Sequence, residues 1–107
     1  LIIGLNSDCS IKKLKGPDRP IIDENNRALV LSALEIVDFV VIFDEETPYN
    51  LIKKIKPDIL VKGGDWKISE IVGSDVVLNN GGEVRSLNFR EGISTTRIIE
   101  KIRESKF

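Results

Sequence analysis

The sequence predicts an α/β fold in which a parallel sheet carries helices on its faces. Short apolar runs alternate with amphipathic helical patterns along the chain, the pattern of βαβ units. The connections between successive runs are long enough for the crossovers that parallel strands need. A polar motif also follows each run at its C-terminal end, the edge where open parallel sheets bind ligands.

Leu1 to Leu5 reads as the first buried strand, and Asn6 to Pro20 as a polar connection marked by Gly16, Pro17 and Pro20. Asp23 is placed to cap a helix running to about Ile36, with Val30, Ala33, Leu34 and Val37 on its inner face. Phe39 to Phe43 is a second buried strand. Thr47 is expected to cap the next helix, with Pro48 at its first position, where a missing N–H costs nothing. Lys53, Lys54 and Lys56 suit that helix's C-terminal dipole, and Pro57 stops it. Ile59 to Val61 is the third strand. Residues Ser74 to Asn80 carry valines that favour a strand, but Ser74 and Gly81-Gly82 fit the two ends of a helix, and the need for a crossover selects helix. Glu83 to Leu87 is the fourth strand. Ser94 to Glu104 is the last helix, with Ile98, Ile99 and Ile102 directed inward.

Composition narrows the function. The 107 residues suffice for a single domain spanning 1–107. A net charge of −1 gives no electrostatic footprint for nucleic acid or a membrane surface. No apolar run approaches the ~20 residues of a membrane span. The single Cys9 cannot form an internal disulfide and suits a reducing, cytoplasmic setting. With no histidine, Ser–His and Cys–His nucleophiles and His-ligated metals are excluded from this chain. There is also no methionine, and the chain opens on what reads as mid-strand, so an N-terminally incomplete domain is expected.

Five motifs were weighed against plainer readings. The run from Ile11 to Gly16 is a short basic loop whose ammonium groups suit phosphate oxygens, although spacing alone favours a solvated loop. Asp44-Glu45-Glu46 has the oxygens that a hard cation prefers, but an acidic helix N-terminus explains it better. Lys62-Gly63-Gly64-Asp65-Trp66 sets a cation and an acid around glycines that let a ligand approach, or forms a tight turn with Trp66 as its lid. Gly81-Gly82 reads only as a helix end. Gly92 to Arg97 opens a helix with free N–H groups and three hydroxyls, more than capping requires, and suits an anion.

Together these residues resemble the cytidylyltransferase-like family of nucleotidyltransferases. The resemblance rests on Gly4 to Asp8, Leu14-Lys15-Gly16 with Arg19-Pro20, Arg27, Val37-Asp38, Pro57-Asp58, Leu60 to Trp66, and Glu91-Gly92 with Ser94 to Arg97. The Leu-Lys-Gly loop and the Lys-Gly-Gly-Asp-aromatic run are similar to the branch that makes ADP-heptose, whose adenylyltransferase stands alone or forms the C-terminal half of a bifunctional heptose kinase.

The resemblance implies a Rossmann-like sheet whose first, central strand is missing here, between the strands at 1–5 and 59–61. It implies transfer of AMP from ATP to a heptose 1-phosphate with release of pyrophosphate, and Mg²⁺ as cofactor. It assigns the triphosphate contacts to Lys13 and Lys15, and further nucleotide or substrate contacts to Arg27, Lys62, Asp65, Ser94, Thr95 and Thr96. Expected partners are ATP, the sugar 1-phosphate, a second copy of the chain and a covalently linked sugar-kinase domain. The family's His-x-Gly-His turn is absent, so the fragment alone is expected to be inactive. The alternatives are a glycerol 3-phosphate cytidylyltransferase, against which Phe89 stands where those relatives carry arginine, and a non-catalytic nucleotide-binding module.

Overall fold

The computed structural model describes residues 1–88 and 94–105. Its elements run β1 (Ile2–Asn6), α1 (Asp8–Lys15), α2 (Glu24–Ser32), β2 (Phe39–Phe43), α3 (Tyr49–Ile55), β3 (Ile59–Gly63), a 3₁₀ turn (Ile68–Glu70), α4 (Ser74–Asn79), β4 (Glu83–Leu87) and α5 (Thr95–Glu104). All four strands pair in parallel, but in two separate pairs. β1 lies on β2 with Ile2 opposite Phe39 and Asn6 opposite Phe43. β3 lies on β4 with Ile59 opposite Glu83 and Gly63 opposite Leu87. Each strand therefore has one unpaired edge among the described residues. Residues of β1 and β3 line a shared groove between the pairs, at the place where the resemblance expects the absent strand.

The core belongs mainly to one pair. Ile52 of α3, Ile71, Val77 of α4 and Val84 of β4 form a buried cluster, with Leu60 and Val76 packed against it. α3 reaches both halves: Ile52 sits in this core, while Leu51 approaches Gly4 of β1. The Tyr49 hydroxyl donates to Asp75 at 3.2 Å and ties α3 to α4. That hydrogen bond and the carboxylate's charge raise the phenol's pKa.

The β1–β2 half is less well covered. Val30 is 66% and Leu34 50% exposed, so the inner face expected for the second helix does not pack inward. The helix itself ends at Ser32 rather than near Ile36, and a turn of Ala33 and Leu34 back onto Leu29, Val30 and Leu31 closes it. The strands expected to be buried are partly open for the same reason. Phe39 and Ile2 are both exposed, and of the β2 residues only Phe43 is fully buried. Ile98 and Ile102 of α5 are exposed as well, correcting their inward assignment.

Three local corrections have simple causes. The stretch read as a polar connection contains α1, which carries few apolar residues but has good ends. Ser7 caps it by accepting from the Ser10 N–H, and Gly16 closes it with φ 95°. Pro48 rather than Thr47 occupies the cap position of α3, with its carbonyl accepting from Ile52 N–H at 2.9 Å. Gly73, at φ 87°, rather than Ser74 precedes α4. Asp23 and Ser94 cap α2 and α5 as expected.

Gly82 is held by space. A Cβ there would stand 2.6 Å from the Asp58 carbonyl oxygen and 2.7 Å from a Val77 methyl. Gly82→Ala is expected to lower unfolding free energy by about 1–3 kcal/mol, the usual range for overpacking. Denaturant titration checks this, and an unchanged midpoint would show that the β3–β4 core yields freely at that point.

Candidate functional site

The residues singled out in the sequence fall into three places along the C-terminal ends of the strands. The first is α1 with the loop behind it. Lys12, Lys13 and Lys15 occupy the last turn of α1, and both Lys13 and Lys15 are exposed. Cations are favoured at a helix C-terminus. Arg19 lies just past Gly16. Its Nη2 donates to Thr96 Oγ1 at 3.2 Å, across 77 residues of sequence.

That hydrogen bond brings the second place to the first. α5 begins at Thr95, and Ser94 Oγ caps it by accepting from Arg97 N–H at 3.0 Å. Thr95 and Thr96 are exposed in the first turn, where unpaired N–H groups and the helix dipole favour an anion. Gly92, singled out with Ser94 to Thr96, lies outside the described residues together with Phe89, Arg90, Glu91 and Ile93.

The third place follows β3. Lys62 Nζ stands 5.3 Å from the centroid of the Trp66 ring, a cation–π geometry. Trp66 is held through main chain and ring alike: its backbone N–H donates to Ser86 Oγ at 3.1 Å and its indole Nε1–H donates to the Gly63 carbonyl at 3.0 Å. Ser86 Oγ also bonds the Gly64 carbonyl. Trp66 nonetheless stays 43% exposed. Lys62 and Asp65 make no ion pair with each other or with any other described residue. Asn6, Glu46, Thr47, Lys62, Gly63 and Trp66 all border one cavity of about 460 Å³, which continues down into the groove between β1 and β3.

Arg27 is placed differently from the other site residues. Its guanidinium points back into the protein, donating to the carbonyls of Ile22 and Asn6, both at 2.9 Å, and to Asp8 Oδ1 at 2.8 Å. Asp8 and Arg19, which carry part of the resemblance but no assigned role, and Ser86 join the site through their hydrogen bonds. Ser86 carried no signal of its own, because only the β3–β4 register brings it beside Gly64. No group of three or more Asp, Glu, His or Cys side chains converges to hold a metal among the described residues. No described helix is long and apolar enough to cross a membrane.

With this geometry in view, the comparison with known proteins is direct. The profile of the cytidylyltransferase-like family matches residues 1–101. The chain belongs to the cytidylyltransferase-like family. Its domain is accordingly a nucleotidyltransferase domain of mixed α/β architecture. It is 59% identical over 106 residues to the bifunctional protein HldE of Campylobacter concisus, covering 99% of this chain and 22% of that protein. It is 59% identical over 103 residues to the bifunctional protein HldE of Nitratiruptor, covering 96% and 21%. The chain thus spans about a fifth of the length of these relatives. A crystal structure of a lipopolysaccharide core biosynthesis protein from Thermoplasma volcanium is similar with a TM-score of 0.59 and 28% identity, over 84% of this chain and 72% of that one.

Because the Lys62–Trp66 contact is exposed, it should contribute only about 0.5–1 kcal/mol. Lys62→Ala is therefore expected to leave the melting temperature nearly unchanged while altering the emission of Trp66, the chain's single tryptophan. Thermal unfolding and fluorescence spectra check this. A large loss of stability would make the pair a packing element.

Proposed function

We propose that this chain forms most of a domain that transfers AMP from ATP to a heptose 1-phosphate, giving ADP-heptose and pyrophosphate for lipopolysaccharide precursor synthesis. The observation that carries this reading is the Arg19–Thr96 hydrogen bond. It joins the loop behind the lysine helix α1 to the hydroxyl-rich start of α5, so that two elements suited to phosphate lie side by side. The heptose substrate follows from the branch that the Leu-Lys-Gly loop and the Lys-Gly-Gly-Asp-aromatic run resemble, and the similarity to a lipopolysaccharide core biosynthesis protein supports that setting.

In the proposed step, an oxygen of the sugar 1-phosphate attacks the α-phosphorus of ATP. A new P–O bond forms, the α–β bridging P–O bond breaks, and pyrophosphate leaves with the bonding electrons. Lys13 and Lys15 neutralise charge on the departing phosphates, and Ser94, Thr95 and Thr96 with the α5 N–H groups orient them. Lys62, which borders the cavity, and the exposed Asp65 three residues on hold the hydroxyl-bearing parts of the substrates. The described residues hold no convergent carboxylate cluster that would cage the Mg²⁺ implied by the resemblance. Magnesium bound with the nucleotide would supply further charge neutralisation.

The domain in this reading is completed by an extended segment lying in the groove between β1 and β3. The remaining length of the relatives leaves ample room for that segment and for a linked sugar-kinase domain. A cytoplasmic homo-oligomer is the expected setting.

Pyrophosphate release from ATP and heptose 1-phosphate, measured on the full-length protein and on residues 1–107 alone, tests the reading. Turnover is expected only from the longer chain, and CTP with glycerol 3-phosphate is expected to be a poor pair. Replacing Thr95 and Thr96 with valine should weaken ATP binding by about 1–3 kcal/mol, as expected for two lost hydrogen bonds to charged oxygen. Equal affinities in calorimetry would leave both threonines as helix-start residues only.

A further inference from the structure

We infer that Arg27 is a positioning residue that aims α1, and through it Lys13 and Lys15, without itself touching the nucleotide. Its three hydrogen bonds end on three different segments: the last residue of β1, the first residue of α1, and the bend before α2. The side chain is only 18% exposed and its charge is matched by Asp8, itself 30% exposed. To reach a phosphate, the guanidinium would have to leave all three acceptors and strand a half-buried carboxylate, which is strongly unfavourable.

Asp8 is gripped from two sides by one turn of α2. Arg27 takes its carboxylate, while the Asp8 backbone N–H donates to Glu24 Oε1 at 3.1 Å. Ser10 adds an anchor to the next strand's loop, accepting from Asn6 Nδ2 at 2.9 Å and donating to the Glu45 carbonyl at 2.7 Å. The N-terminal turn of α1 is thus fixed, and its lysines lie at the other end. At 1.5 Å per residue, Lys15 is about 10 Å along the axis from Asp8. A tilt of about 10° at Asp8 would move Lys15 by roughly 2 Å, and misplacement of about 1 Å is enough to matter for charge-stabilised transfer. A guanidinium suits this task because its rigid fork reaches several acceptors at once, which an ammonium on a flexible stem does not.

This inference rests on the reading of the α1 lysines as phosphate contacts. The test is calorimetric titration of the full-length protein with ATP and with inorganic tripolyphosphate, at a temperature where circular dichroism shows each variant folded. Arg27→Ala and Asp8→Asn should each weaken both ligands by about tenfold, and the double variant should be no worse than the weaker single one, because both break one linkage. Arg27→Lys should not restore affinity. If Asp8→Asn does not fold, the comparison of Arg27→Lys with Arg27→Ala still decides the matter. Recovery of affinity by Arg27→Lys would overturn the inference in favour of a direct charge contact, as would a silent Asp8→Asn beside a damaging Arg27→Ala. A fall in melting temperature with affinity kept within about twofold would overturn it in favour of a purely structural role. The lysine reading has its own control: if Lys13→Ala with Lys15→Ala leaves both ligands bound as before, that reading fails and this inference with it.

Discussion

Parallel pairing is the constraint from which the rest of the structure follows. Two parallel strands cannot be joined by a tight turn, so every connection must cross a face of the sheet and return to the same end. In this chain that rule delivers the residues after β1, β2 and β3 to one rim, where Asn6, Thr47 and Trp66 meet around a single cavity. The chemistry-bearing side chains are distant in sequence, and no local folding rule would gather them. Within each pair the shared strand direction does so, the cavity between the pairs joins the two sets, and the Arg19–Thr96 bond extends the same rim to the last helix.

The rim is held by hydrogen bonds more than by apolar burial. Ser7 and Ser10 are completely buried on the β1 side, and both are satisfied, by capping and by the Asn6 and Glu45 partners. A buried hydroxyl is tolerable only when so paired. The result is a polar frame around α1 that fixes direction, standing beside a β3–β4 half that is packed in the ordinary way around Ile52 and Val77.

Much of this was legible in the residues. β2 and β4 carry continuous or near-continuous strand formers and emerged with their expected bounds. Helix α4 was reached through the crossover requirement where its valines alone would have misled. Helix α1 was missed because apolar periodicity is the main helix signal, and only Ile11 and Leu14 supply it; the Ser7 cap and Gly16 stop were the evidence to weigh. The inward faces of α2 and α5 were overestimated for a different reason. A stripe of apolar residues shows that a surface can be buried, but not that the chain in hand contains the partner that buries it. The site residues were recognisable by type, whereas the division of labour among them was not. Arg27 and Lys62 both read as cations near a ligand, and only their contacts separate Arg27, hydrogen-bonded back into the protein, from Lys62, which lies over Trp66 at the cavity.

The unequal packing of the two strand pairs has a consequence for how this domain opens. Local opening requires least free energy where buried apolar contact is sparse, so the β1–β2 half should exchange its backbone amide protons with solvent sooner than the β3–β4 half. The cavity lies on the boundary, with Asn6 and Thr47 contributed by the looser half and Lys62 and Trp66 by the firmer one. A molecule seated there would touch both halves at once. The binding free energy of such a molecule would add to the stability of the looser half, so occupancy of the cavity would couple two strand pairs that no strand-to-strand hydrogen bond joins.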